Sequence, residues 1–201
     1  MRMGELSRPR RATPKITAMN SPAERRAALR EILKTHSLKK GDFTLASGRK
    51  SNFYFDSKLT TLRADGAFLT GECFLDLLEE KNIPADCFGG LTLGADPIAA
   101  AVAAAAHRRG SALCGFIVRK ETKGHGAGKL MEGPVAPGMR AVIVDDVVTT
   151  AGSALKANAA VKAFGMPITA VVSLVDRGEG GAEALKDWPF YPLFTATEIF
   201  V

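Results

Sequence analysis

Between Val142 and Ser153 the chain reads Val-Ile-Val-Asp-Asp-Val-Val-Thr-Thr-Ala-Gly-Ser, and that order admits few folds. Three β-branched residues announce a buried strand, two carboxylates stand at its carboxyl end, and a hydroxyl-rich turn leads into a helix. In an open parallel sheet this is where ligands bind. The turn offers backbone N–H groups, Thr and Ser hydroxyls and a helix N-terminus, which suit a phosphate monoester. Asp145 and Asp146 repel that phosphate; they suit hydroxyls or a cation, so the ligand is expected to carry a sugar diol close to its phosphate. The plainer alternative is an acidic pair that only caps the following helix, which needs one Asp and not two.

The rest of the chain supports such a sheet. Ser21-Pro22-Ala23-Glu24 is a capping box with Pro at the first helical position, and Ala28, Leu29, Ile32 and Leu33 give the helix a face that ends near His36. Phe43–Leu45 and Phe53–Phe55 read as short strands around a Ser47-Gly48-Arg49 turn. A helix is expected over 64–81. Apolar runs at 86–90, 112–118, 141–144 and 168–175 then alternate with helices at 97–109 and 153–164. Strands apolar on both faces, alternating with helices, predict an α/β domain whose mostly parallel sheet has helices on both faces. Residues 119–138 break this rhythm and read as a functional lid.

With 201 residues and 46% hydrophobic content, one domain over 21–201 is expected, with a small hood at about 21–60. The formal charge of +6 is uneven. Residues 1–20 hold Arg2, Arg8, Arg10, Arg11 and Lys15 against Glu5, so the remaining 181 residues carry only +2. That tail reads as disordered, either a genuine extension or the product of a start upstream of Met19. It has no apolar segment for a secretory signal, while its Arg-rich, acid-poor character is compatible with a transit peptide. No apolar run reaches a membrane span; the longest, Pro97–Ala106, reads as a buried helix. Cys73, Cys87 and Cys114 are odd in number and lack metal spacing, which suggests free thiols and a cytoplasmic setting. His36 and His107 read as structural, and no Ser has a Gly-x-Ser-x-Gly setting.

Residues 142–153 resemble the ribose-phosphate signature of type I phosphoribosyltransferases, which use phosphoribosyl pyrophosphate (PRPP). The resemblance implies that Asp145 and Asp146 meet the ribose hydroxyls and that Val147, Val148, Thr149, Thr150, Ala151, Gly152 and Ser153 wrap the 5′-phosphate. Arg119-Lys120-Glu121-Thr122-Lys123-Gly124-His125-Gly126 is, taken alone, a cationic run suited to a pyrophosphate or simply a solvated one. It resembles the catalytic loop of orotate phosphoribosyltransferases, with Arg119, Lys120, Lys123 and His125 matching. The resemblance implies that Lys123 and His125 serve the leaving group, and that the loop is mobile and shared across a homodimer.

Arg177, just past the strand ending at Val175, is either a surface ion-pair residue or a fork for a flat ligand's carboxylate. The resemblance assigns it, with Thr149, to orotate. It also implies Mg²⁺ carried on PRPP without direct protein ligands, and no nucleic-acid or membrane partner. Residues 44–58 resemble the hood over the base, with two departures: lysines usual in the family are absent at Ala46 and at Gly94. Lys58, or else Arg49, is expected to replace one of those charges; a solvated lysine is the alternative. The implied reaction joins orotate and PRPP into orotidine 5′-phosphate and pyrophosphate. Its rivals are transfer to another base, disfavoured by Arg177, and a PRPP-sensing regulator, which has no use for the cationic loop.

Overall fold

A computed structural model of the chain describes residues 21–44, 50–121 and 130–201. The expected tail, Ala46, Arg49, Lys123 and His125 lie outside the described residues.

Helix α1 (Pro22–Ile32) starts as the capping box requires: Ser21 Oγ accepts from Glu24 N–H, and Glu24 returns the bond to Ser21 N–H. A π-turn (Leu33–Ser37) ends it and leads into an antiparallel hairpin, β1 (Leu38–Thr44) and β2 (Lys50–Phe55). Then follow α2 (Lys58–Thr61), α3 (Ala64–Glu80), β3 (Cys87–Leu91), α4 (Ala95–Arg108), β4 (Cys114–Val118) and β5 (Met131–Glu132). The chain finishes with β6 (Ala141–Val148), α5 (Gly152–Ala163), β7 (Ile168–Asp176), α6 (Gly181–Ala184), β8 (Phe190–Thr195) and α7 (Ala196–Phe200).

The main sheet has the order β5-β4-β3-β6-β7-β8, parallel except for β5. From β3 the chain steps outward to β4, then returns to the other side of β3 to lay down β6 and β7. Right-handed crossovers in opposite directions put α4 and α5 on opposite faces. The core is accordingly split. One cluster packs α1, α3 and α4 on Phe88, Val142, Val144, Val172 and Leu174; the other packs Ala154, Ala157 and Val161 of α5 on Cys87, Ile143 and Val171. Each large apolar side chain so buried contributes about 1.5–3 kcal/mol. A Cβ at Gly89 would strike the Phe116 carbonyl, and one at Gly90 the Val144 carbonyl, so β3 needs glycines where its neighbours close in.

Several elements depart from the sequence expectations. The strand expected over 141–144 runs on to Val148, because Asp145, Val147 and Val148 keep their ladder with β7. β8 and α7 were not expected; β8 contains Pro192, which an edge strand tolerates because no ladder bond is lost on its open side. The 119–138 stretch includes β5, paired with the end of β4. All three cysteines are free, with Cys114 only half-buried.

Candidate active site

The carboxyl ends of β3 and β6 flank the point where the strand order reverses, the place at which open parallel sheets take their ligands. Leu91 is level with Val118, and Val148 with Asp176, so the segments leaving β3, β4, β6 and β7 share one edge. Asp145 and Asp146, the turn 149–152, Arg119 and Arg177 all belong to that edge.

The two aspartates occupy different surroundings. Asp145 is 7% exposed and level with the buried Ser173 of β7. Burial, reinforced by the charge of Asp146, pushes its carboxyl up to about 7. Asp146 is half-buried and held from two sides. Ser57 Oγ donates to its Oδ2 at 2.5 Å, and its Oδ1 lies against the Gly94 backbone, where any Cβ would collide with it. Asp145 has a consequence for stability. Between its ordinary value of 3.8 and about 7 the folded chain binds a proton that the unfolded chain has released, so stability falls as pH rises through that window. Asp145→Asn is expected to flatten this slope in urea unfolding between pH 4 and pH 7; an unchanged slope would contradict the assignment.

Beyond the pair, Val147 is half-buried and Val148 buried; Thr149 is half-buried, and Thr150, Gly152 and Ser153 are exposed. Ala151 holds a left-handed conformation (φ +63°) as the chain turns from β6 into the twelve-residue α5, whose first N–H groups have no partner within the helix. Such donors at a helix N-terminus are chemically suited to a phosphate.

On the flank beyond β3, Arg119 N–H donates to Leu130 O (2.8 Å) and its guanidinium pairs with Glu132 (3.4 Å). The stem of the expected lid is thus closed by the β4–β5 pairing, and exposed Lys120 stands on it. On the other flank, Arg177 N–H donates to Val148 O (2.9 Å) and its Nε pairs with Glu179 (2.9 Å). Its guanidinium packs beside Phe53 of β2 and Phe200 of α7, 5.4 and 5.8 Å from their ring centres, and those rings stack on each other. The hairpin therefore leans over Arg177. Lys58 Nζ pairs with Asp56 (2.6 Å), which raises its pKa, with a smaller contribution from Asp146.

Sequence reasoning thus anticipated Asp145, Asp146, the turn, Arg119 and Arg177 at one edge. It placed Ser57 in the hood segment and Gly94 where the family usually has a lysine, but it did not anticipate that both would hold Asp146, nor that Glu179 would pair with Arg177. Ser57 and Gly94 act by packing across the fold, which no local pattern signals.

No protein-family model matches the chain. It is 47% identical over 162 residues to an orotate phosphoribosyltransferase of Rhodopirellula baltica, covering 79% of this chain and 84% of that protein. Among solved structures it is similar to the Mycobacterium tuberculosis orotate phosphoribosyltransferase in complex with Fe(III) dicitrate, with a TM-score of 0.79 and 35% identity over 88% of this chain and 99% of that one. The same enzyme in complex with PRPP matches with a TM-score of 0.75 and 32% identity, again over 88% and 99%.

Proposed function

The chain belongs to the orotate phosphoribosyltransferase family, with the type I phosphoribosyltransferase fold, and from that premise we propose how its residues divide the work. The enzyme transfers the phosphoribosyl group of PRPP to orotate, giving orotidine 5′-phosphate and pyrophosphate in pyrimidine biosynthesis. One observation supports the division of labour: the acidic pair and the hydroxyl turn stand at the carboxyl edge of the sheet where strand order reverses, with Arg177 following β7 on one flank and Arg119 following β4 on the other.

In this reading Asp145 and Asp146 take the ribose hydroxyls of PRPP, and the turn from Val147 to Ser153 takes its 5′-phosphate on the N-terminus of α5. Arg177 and Thr149 hold orotate, whose carboxylate exchanges for Glu179 on the guanidinium while Phe53 covers the base. Arg119, Lys120, Lys123 and His125 face the diphosphate. Displacement at C1′ passes through a cationic sugar, so the protein contributes by aligning the two reactants and stabilising the departing charge. His125 donates a proton to that group in this reading, although a cation there serves as well. Lys58, anchored by Asp56 and close to Asp146, supplies charge that Ala46 and Gly94 cannot. Mg²⁺ would come in on the PRPP oxygens, next to carboxylates and hydroxyls that tolerate a hard cation, and its chemistry would be to neutralise the diphosphate. A homodimer sharing the loop, and a cytoplasmic location, complete the reading. No helix among the described residues is long and apolar enough to cross a membrane.

An assay for orotate consumption that requires both PRPP and Mg²⁺ tests the reaction. Lys123→Ala in that assay is expected to lose about tenfold in kcat, as for one charge-assisted hydrogen bond, with little change in orotate KM. A raised orotate KM at unchanged kcat would refute the leaving-group role.

A further inference from the structure

Ser57 occupies the N-cap position of α2, yet its side chain makes no bond to that helix. A serine at this position ordinarily accepts from the N–H two or three residues on. Here the hydroxyl is turned away, and it donates to Asp146 Oδ2 across 89 residues of sequence. Ser57 is 1% exposed and Asp146 half-buried, so the donor end of this charge-assisted hydrogen bond is shielded from water.

The base on which Ser57 stands is itself fixed. Asp56 N–H donates to Ser37 O (2.9 Å), and Thr60 and Thr61 N–H both donate to Ser57 O (2.9 Å each). Ser37 and Thr60, both fully buried, share a hydroxyl–hydroxyl bond of 2.7 Å. Ser37 ends the π-turn from which the β1–β2 hairpin departs, and Asp56 follows the hairpin's last residue. The same few residues therefore seat the hairpin and hold the Asp146 carboxylate.

We infer that Ser57 is a positioning residue: through its hydroxyl it holds Asp146 in the orientation that receives the ribose of PRPP, and so ties the base-covering hairpin to the sugar site. The inference rests on the reading of Asp146 as a ribose ligand. An ionised carboxylate offers about four acceptor directions. Ser57 occupies one on Oδ2, and the Gly94 backbone blocks retreat on the Oδ1 side. Enough directions stay open for sugar hydroxyls, and the side chain's choice of rotamer is made before substrate arrives. Ordering it in advance lowers the cost of binding PRPP and leaves the chemistry at C1′ untouched.

The test is a double-mutant cycle on the full chain, with steady-state constants for both substrates and a thermal unfolding curve for each variant. Ser57→Ala is expected to raise the KM for PRPP about fivefold, with kcat and orotate KM within twofold of the parent. Ser57→Cys, which keeps the side chain's shape with a larger atom and only a weak donor, is expected to raise it at least as much; it carries the test if the alanine variant fails to fold. Asp146→Asn is expected to raise PRPP KM at least tenfold, and adding Ser57→Ala to it is expected to change KM by less than twofold. Equal effects of Ser57→Ala in both backgrounds, or an unchanged PRPP KM in Ser57→Ala and Ser57→Cys while Asp146→Asn still raises it, would overturn the role of Ser57 alone. An unchanged PRPP KM in Asp146→Asn would overturn the ribose reading itself.

Discussion

Gly94→Ala is expected to lower kcat/KM for PRPP about a hundredfold while leaving the protein folded. Gly94 has ordinary helical dihedrals (φ −60°, ψ −41°), so alanine fits the backbone there without strain. The new methyl group has only one place to go, and the Asp146 carboxylate fills it. A carboxylate at the end of a flexible side chain can swing aside at small cost in stability, but only by leaving both Ser57 and the site. A displacement of about 1 Å at a substrate-positioning group costs about 10²-fold in rate. Thermal unfolding within a few degrees of the parent, beside the loss of PRPP use, is the expected result. Parallel loss of fold and activity would mean that Gly94 serves packing instead.

Arg109→Ala is expected to have the opposite signature, a large loss of stability. Arg109 closes α4, and its guanidinium binds Glu72 (2.6 Å), Asp76 (2.7 Å) and Glu79 (2.8 Å) of α3. Asp76 keeps a second cation in Arg25 (2.7 Å), but Glu72 is 8% exposed at its side chain and its other oxygen is buried without a hydrogen-bond partner. Alanine at 109 leaves Glu72 with only Arg108 at 3.7 Å. Removing one partner of a buried pair costs about 3–5 kcal/mol, and the partial exposure of Arg109 puts the expected loss near the lower end, about 3 kcal/mol. For a chain of this size that corresponds to a fall in Tm of about 6–12 °C. Adding Glu72→Met, which removes the stranded charge, is expected to recover part of it. An unchanged Tm for Arg109→Ala would show that the network contributes no net stability.

What could be read from the sequence follows from where the relevant physics resides. The parallel sheet was legible because β3, β6 and β7 are buried on both faces and therefore apolar without interruption, and because α4 and α5 carry their own helical period. The candidate site was legible for a related reason: an acidic pair after a buried strand has no use in the core. β8 escaped because Pro192 and a half-exposed surface blur its pattern, and the start of β1 escaped because Lys39, Lys40, Gly41 and Asp42 carry no apolar period. Arg109 reads as one more solvated charge after a helix; only the packing of α3 on α4 makes it the centre of a network. The contacts of Ser57 and Gly94 with Asp146 were not legible, because that carboxylate lies 89 and 52 residues away and nothing local in either residue points to it.

PRPP is expected at the Asp145–Asp146 edge of the sheet and at no other opening, and a crystal structure of the chain soaked with PRPP and Mg²⁺ decides this. The ribose hydroxyls are expected within hydrogen-bonding distance of both aspartates, with the 5′-phosphate on the 149–153 turn. Density for the sugar phosphate elsewhere, for instance in the cleft of about 490 Å³ that Arg26 and Lys81 line between α1, α3 and β8, with the aspartates untouched, would contradict that placement.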